Sequence, residues 1–324
     1  MMKMDNKPEL KLINMADVEA TEVEWLWYPY IPYGKITIIQ GDPGEGKTTL
    51  VLNLAAILSR GDKLPETTKD AEPINIIYQT AEDGLSDTIK PRLAAANAKE
   101  DMFTAIDESK CRLSLTDNRL EDAIKRTNAR LVILDPIQAY IGGSVDMNRP
   151  NEIRDLMTHL KLVAEKFNCA IVLIGHLNKA TGLKASYRGL GSVDIQAAAR
   201  SVLLVGRLKD DPTIRVMAPT KSSLAPEGEP IAIELNKETG FRFIGKYEIS
   251  VDDLLNGTIS ASKIEQAEKL LMDELSSGKA VEQKVLEKKA EIRYISLRTL
   301  NQAKKNLNIR SIKTREGWQW HLPE

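Results

Sequence analysis

The feature that most constrains the fold is a glycine-rich turn between two apolar runs. Residues 36–52 read ITIIQGDPGEGKTTLVL, and the turn fits the pattern GxxxxGK[ST]. The spacing predicts a buried strand, a P-loop whose backbone N–H groups surround a phosphate chain, and a helix whose positive end faces that chain. An ordinary glycine-rich turn is the alternative, and the predicted strand before the turn and helix after it argue against it.

We predict that this P-loop binds ATP together with Mg²⁺. Lys47 would contact the β- and γ-phosphates, and the hydroxyl of Thr48 would bind the metal ion. Asp135 ends the apolar run LVILD, where it would hold Mg²⁺ through water unless it is an ordinary strand-end aspartate. The residues predicted to line the nucleotide are Gly41, Asp42, Pro43, Gly44, Glu45, Gly46, Lys47, Thr48 and Thr49.

Apolar runs alternate with helical patterns along the first part of the chain. This alternation predicts an α/β fold, with a mostly parallel sheet covered by helices on both faces. Strands are expected at 36–41, 74–80, 131–135 and 169–176, with a short one near Leu113. After Ala197, strand-like runs follow one another with turn-like gaps, which predicts antiparallel strands that extend the sheet.

The sequence predicts an ATPase core over residues 1–248, whose first 33 residues form an N-terminal arm. A linker is expected over 249–262 and a small winged-helix-like domain over 263–324, because three helical patterns are followed by two short strand-like pieces. Basic residues of this tail predict contact with duplex DNA or with a replication partner. They are Arg298, Lys304, Lys305, Arg310, Lys313 and Arg315.

Composition limits the class of protein. The formal net charge of −1 gives no global sign of nucleic-acid binding, so any basic surface must be local. The two cysteines, Cys111 and Cys169, lie far apart, which argues against a disulfide framework or a zinc site and predicts a cytoplasmic protein. No apolar run is long enough to cross a bilayer, so a membrane partner is not expected.

Two neighbouring carboxylates follow the second predicted strand, in the sequence YQTAEDG. A glutamate at the end of that strand could orient and deprotonate an attacking water, and Glu82 is our candidate for this catalytic base. Asp83 is the rival. One of the two is expected to cap a helix.

The order of these motifs resembles the RecA/DnaB-type ATPases. The P-loop, AED after a strand, LVILDP, and GH ending a strand occur in that order, and the similarity over residues 20–245 looks closest to RepA-type hexameric replicative helicases and their phage-borne relatives. The resemblance implies a RecA-like fold, a hexameric ring, and Glu82 as catalytic base. It also implies that His176 senses the γ-phosphate and signals to a DNA-facing loop, and that Arg92 stacks on adenine.

Two long loops are expected to contact single-stranded DNA. They span 138–152 and 177–192, and the second carries Lys179, Lys184, Arg188 and Tyr187. Cations beside glycine amides suit a phosphodiester backbone, whereas solvated lysines on a surface loop are the alternative. The resemblance implies that such loops line a central pore.

Related rings hydrolyse ATP with a cation supplied by the neighbouring subunit, which in DnaB-like proteins comes from a Lys-x-Arg strand end. In the segment TKSSLAP, Lys221 matches the lysine, but Ser223 stands where the arginine would be. Lys221 is therefore the first candidate for the cation acting in trans and Arg207 the second, with Arg200 as a further alternative.

Three functions fit these motifs. The first is an ATP-driven replicative helicase of RepA/DnaB type acting on single-stranded DNA. The second is a DNA-binding regulator or recombination mediator of the KaiC/RadA-like group, in which ATP is an assembly switch. A small-molecule kinase is disfavoured because the sequence contains no arginine-rich lid. The first two share every residue named above, so the sequence does not separate them.

Overall fold

The computed structural model consists of a large mixed sheet with helices on both faces, followed by a smaller group of helices and strands. The structure describes residues 10–142, 150–177, 193–209, 211–236, 240–256, 261–276, 278–293, 295–314 and 317–323. Within these ranges, no helix has both the length and the apolar character needed to span a membrane.

The larger part alternates strands and helices before it becomes a run of strands. In chain order its elements are β1 (Trp25–Trp27), β2 (Ile31–Pro32), β3 (Ile36–Gly41), α1 (Lys47–Arg60), β4 (Asn75–Thr80), α2 (Lys90–Ala95), β5 (Phe103–Thr104), α3 (Asn118–Thr127), β6 (Ala129–Asp135), α4 (Pro150–Phe167), β7 (Ala170–His176), α5 (Val193–Ala198), β8 (Ser201–Arg207), β9 (Ile214–Ser222), β10 (Ile231–Asn236), β11 (Gly240–Lys246) and α6 (Val251–Asn256). A π-helical turn, Leu85–Ile89, leads directly into α2, and the N–H of Ile89 donates to the carbonyl of Gly84.

The main sheet has nine strands in the order β11-β10-β9-β8-β3-β7-β6-β4-β5. The six strands from β8 to β5 are parallel, whereas β9, β10 and β11 are antiparallel additions. The predicted α/β fold, with a mostly parallel sheet and an antiparallel extension, is therefore confirmed. Because β3 lies between β7 and β8, the P-loop leaves the sheet next to the ends of both neighbours.

Apolar residues on the two faces of the sheet form two separate cores. One contains the buried stripe of α1, including Leu50, Leu54 and Leu58, and the other contains the inner faces of α3 and α4. β3 is buried along its whole length, which explains its continuous apolar sequence. Burial on both faces fixes the carboxyl ends of the central strands, where the candidate site lies.

The prediction of a strand near Leu113 is wrong. Leu113 lies in a loop, and the edge strand is the two-residue β5. Leu113 is buried in the second core, and its N–H donates to the carboxylate of Glu108 instead of to a neighbouring strand. Its apolar character therefore reflects packing rather than strand pairing.

The first half of the predicted linker, 249–262, forms the helix α6 rather than an extended connection. Leu254 of α6 is buried in a cluster with residues of β8, β9 and β10. The contact is close, because a Cβ added to Gly206 of β8 would lie 3.0 Å from the side chain of Leu254. The start of the linker thus belongs to the packed surface of the large sheet, and the boundaries at 248 and 263 stay predictions.

The tail contains three helices and a small antiparallel sheet. Its elements are α7 (Ala261–Leu275), β12 (Val281–Glu282), α8 (Gln283–Ile292), α9 (Leu297–Asn306), β13 (Arg310–Lys313) and β14 (Trp318–His321), and the strand order is β12-β14-β13. Leu271, Leu286, Leu300 and Trp320 meet in its core. The hydroxyl of Ser296 accepts the N–H of Thr299 and caps α9 as expected. A winged-helix identity for this tail stays a prediction.

Candidate nucleotide-binding site

Glycine is required at two positions of the loop between β3 and α1. A Cβ added to Gly41 would lie 2.2 Å from the carbonyl oxygen of Val205, because β8 passes directly beside the end of β3. Gly46 precedes α1 with φ of 87°, in the left-handed region that glycine adopts without strain. These two residues let the chain turn tightly enough for backbone N–H groups to point at one centre, as phosphate binding requires.

Lys47 is folded over this loop and is almost fully buried. Its Nζ donates to the carbonyls of Gly41 and Asp42, at 2.9 Å and 2.8 Å, and lies 3.3 Å from Nδ1 of His176. Burial lowers the pKa of Lys47, while the charge of Asp135 acts in the opposite direction. The ammonium group is thus held at the centre of the loop, within reach of a phosphate chain there.

The predicted metal ligands contact each other. The hydroxyl of Thr48 donates to Oδ2 of Asp135 at 2.6 Å, and the hydroxyl of Tyr78 donates to the same oxygen at 2.8 Å. A threonine hydroxyl and a carboxylate are hard oxygen donors that suit Mg²⁺. Burial, with the neighbouring Asp135, raises the pKa of Tyr78, so its hydroxyl stays protonated and donates to the carboxylate.

Sequence reasoning missed Tyr78. It is buried on β4, inside the run INIIYQT, where its ring packs in the apolar core and its hydroxyl reaches across to β6. A tyrosine within an otherwise apolar strand is the signal that could have identified it, because a buried hydroxyl needs a partner.

The two carboxylates that follow β4 have different surroundings. Asp83 forms an ion pair with Arg92 at 2.7 Å, and its N–H donates to the hydroxyl of Thr80. Glu82 is exposed, and its charge acts to raise the pKa of Lys47. Asp83 therefore has a local structural role through this ion pair, but the prediction that one of the two carboxylates caps a helix is wrong, because the helical turn begins after Gly84 and has no side-chain cap. Glu82 keeps an open carboxylate on the P-loop side, and its role as base stays a prediction, as does stacking of Arg92 on adenine.

His176 ends β7 directly opposite Gly41 in the register of β3 and β7. Its imidazole is partly buried beside the Lys47 ammonium, and the following N–H, of Leu177, donates to the carbonyl of Gly41. The structure thus brings His176 and the P-loop lysine together. Lys179, Lys184, Tyr187 and Arg188 lie outside the described residues, as do residues 143–149 of the loop 138–152.

Arg207 lies next to the P-loop of its own chain. Its guanidinium is 3.5 Å from the carboxylate of Glu45. Sequence reasoning missed Arg215, which pairs with Arg207 across β8 and β9 and lies beneath Gly46. Burial lowers the pKa of Arg215, with Arg207 acting in the same direction and Glu45 against it. Arg207 therefore contacts Glu45 within one subunit, while Arg215 donates to the carbonyls of Pro212 and Leu235.

Lys221 lies near the opposite end of the strands from the P-loop. It pairs with Val202 near the start of β8, whereas the P-loop begins where β3 ends. Its Nζ donates to the carbonyls of Gln196 and Ala197 at the end of α5, and burial lowers its pKa. Lys221 is therefore too far along the sheet to serve the P-loop of its own chain.

A mostly parallel sheet, a P-loop after its central strand β3, and a carboxylate at the end of β6, which β7 separates from β3, define a RecA-like P-loop ATPase. The family model described as an AAA domain matches residues 6–182, and the chain belongs to that family.

Curated relatives include replicative helicases and repair proteins. The replicative DNA helicase DnaB of Mycoplasma genitalium is 25% identical over 264 residues, which cover 70% of this chain and 55% of that protein. The DNA repair protein RadA of Halalkalibacterium halodurans is 23% identical over 239 residues, which cover 72% of this chain and 46% of that protein. The chain thus spans about half the length of these relatives.

Among solved structures, one ATPase domain is similar in fold. The TM-score is 0.50 at 16% sequence identity, and the match covers 66% of this chain and 85% of that domain. The sequence similarity relates the chain to DnaB, and this structural likeness confirms its RecA-like fold.

Proposed function

We propose that this ATPase acts on single-stranded DNA as a ring, in the manner of a replicative helicase of RepA/DnaB type. The observation that carries the proposal is the contact between Lys47 and His176. His176, at the end of β7, touches the phosphate-binding lysine and directly precedes the segment 177–192, which carries the predicted DNA-binding cations. Through this short connection, the state of the bound nucleotide can be coupled to the affinity for DNA.

Each step of ATP hydrolysis has a candidate residue in this site. Lys47 binds the β- and γ-phosphates, and Glu82 orients the attacking water and takes its proton. Thr48, through its hydroxyl, and Asp135, through water, would hold Mg²⁺, which would neutralise charge on the phosphate oxygens. Tyr78 keeps the Asp135 carboxylate in one orientation. The coarse assignment, ATP binding by a P-loop ATPase, follows from the family, and these individual roles are proposals.

Ring formation would supply a cation from the neighbouring subunit. Lys221 cannot reach the P-loop of its own chain, yet a strand-end lysine facing a neighbour could reach the site across an interface. Arg207 is paired with Glu45 of its own P-loop, a position that suits a group acting in cis. We therefore place Lys221 before Arg207 as the residue acting in trans, in a ring that we propose to be a hexamer.

A second function is supported by the similarity to RadA. An ATP-switched DNA-binding protein would use the same P-loop, the same Glu82 and the same link through His176, but without unwinding. The two functions differ in whether the free energy of ATP hydrolysis is used to separate DNA strands.

The test measures the ATPase rate against added single-stranded oligonucleotide, and in parallel the unwinding of a forked duplex. Wild type should be stimulated by the oligonucleotide, and His176→Ala should lose the stimulation while still binding ATP. His159→Ala is the matched control, because it removes an imidazole from α4, outside the site. Stimulation without unwinding would favour the ATP-switched regulator. Equal stimulation in wild type and His176→Ala would remove the histidine from the coupling.

A further inference from the structure

The hairpin of β13 and β14 in the tail carries a tryptophan at its surface. Trp318 is 50% exposed at the start of β14, next to the turn of the hairpin. Its partner across the two strands is Lys313, whose Nζ lies 6.0 Å from the centre of the indole ring. All four residues of β13 are exposed, so this end of the hairpin projects beyond the core of the tail.

Trp320, in the same strand, has a structural role and serves as a comparison for Trp318. Two residues after Trp318, it points to the same face of β14 but is 1% exposed and belongs to the core of the tail. Lys304 of α9 lies over its ring at 4.1 Å and bonds to Ser311. Trp320 therefore holds α9 against the hairpin, whereas Trp318 lies past the edge of that contact.

The stretch of sequence that contains Trp318 is rich in basic residues. Between residues 293 and 323 the sequence has seven lysine or arginine residues and one acidic residue. Lys313 of β13 is the exposed cation opposite Trp318, whereas Arg310 lies three residues away along the strand and on the other face of the hairpin. An exposed indole beside an exposed lysine fits a ligand that combines a flat aromatic surface with a phosphate, which a nucleotide of a nucleic acid provides.

We propose that Trp318 and Lys313 form a stacking site for unpaired bases of single-stranded DNA, separate from the nucleotide site. The indole stacks on a base, and the Lys313 ammonium contacts a phosphate of the same strand. A single strand is the fitting partner because its bases are free to leave their neighbours, whereas duplex bases are already stacked on both faces. This site would let the tail hold a strand whether or not ATP is turned over, so it does not depend on coupling through His176.

The test is binding of a labelled 15-nucleotide oligothymidine by the full chain without nucleotide, followed by fluorescence anisotropy. An abasic oligomer of equal length is the second ligand, because it keeps the phosphates and lacks the bases. Trp318→Ala should bind oligothymidine about 5-fold or more weakly than wild type, and Trp318→Phe should retain most of the affinity. Ile292→Ala is the matched control, since Ile292 is another exposed apolar side chain of the tail.

Wild type and Trp318→Ala should bind the abasic oligomer equally, and their basal ATPase rates should match. The proposal is overturned if Trp318→Ala binds oligothymidine as tightly as wild type, or if both oligomers lose affinity equally. It is also overturned if the Trp318-dependent binding is tighter for a duplex of the same length. Failure of DNA to stimulate the wild-type ATPase would contradict the proposed function and leave this result unaffected.

Discussion

Replacing Tyr78 by phenylalanine removes one hydroxyl from the site and leaves the ring in the core. The hydrogen bond that is lost runs to a carboxylate, and such bonds contribute about 1.5–3 kcal/mol. Tyr78 is 2% exposed, so water does not readily replace its hydroxyl, but Oδ2 of Asp135 still accepts from Thr48. We therefore expect the lower end of that range, about 1.5 kcal/mol of unfolding free energy, or roughly a tenfold change in the unfolding equilibrium.

The same substitution should weaken the use of Mg²⁺. Groups that orient a metal-binding carboxylate typically change metal affinity by about tenfold or more when they are removed. ATPase rates of Tyr78→Phe, measured against Mg²⁺ concentration, should therefore show a half-saturation point about tenfold higher than that of the wild type. Urea titration of the protein without nucleotide gives the unfolding free energy.

Tyr140→Phe is the control for this prediction. Tyr140 is equally buried, and among the described residues its hydroxyl has no hydrogen-bond partner. Its removal should be neutral or slightly stabilising, because no bond is lost and a buried polar group disappears. If the two variants have the same stability and the same response to Mg²⁺, Tyr78 does not orient Asp135 and the reasoning is refuted.

Three further outcomes are expected. Glu82→Gln should bind ATP but lose turnover by about 10² or more. Asp83→Asn should keep turnover within a few-fold of wild type, because Asp83 is bonded to Arg92. The reverse result in single-turnover assays would exchange the roles of the two residues. Without nucleotide, Lys47→Met should be more stable than wild type at pH 7, because burial lowers the pKa of Lys47 in the folded state. The difference in unfolding free energy between the two proteins should shrink as the pH rises through that lowered pKa towards 10.5. A difference that stays constant with pH in urea unfolding would contradict this. Mixing Lys221→Ala with Glu82→Gln subunits should restore some ATPase activity, because a ring could then contain one intact interface, and no recovery would argue against a contribution in trans.

The parts of the fold that the sequence predicted correctly are those set by local pattern. The continuous apolar run of β3, the glycine spacing and the stripe of α1 each depend on residues within one segment, and the structure has them at the expected places. Leu113 shows the limit of such patterns, because burial in a loop and burial in a strand give the same apolar signal.

The contacts between segments could not be predicted in the same way. Tyr78 reaches Asp135 because β4 and β6 are neighbours with a particular register, and Arg215 reaches Gly46 because β9 returns beside β8. Each contact joins residues distant in sequence through the alignment of two strands. α6 was missed for a related reason, since the pattern of a six-residue helix is weak until Leu254 packs on β8.

The π-helical turn at Leu85–Ile89 has a consequence for insertions and deletions in evolution. A π-turn contains one residue more than an α-turn, so it rotates the helix after it by about 100° relative to the residues before it. Arg92, on the helix that follows, meets Asp83 in this rotated setting. Deleting one residue of the turn would leave a regular helix but would turn Arg92 away from Asp83. A relative that lacks that residue would keep the fold and lose this ion pair.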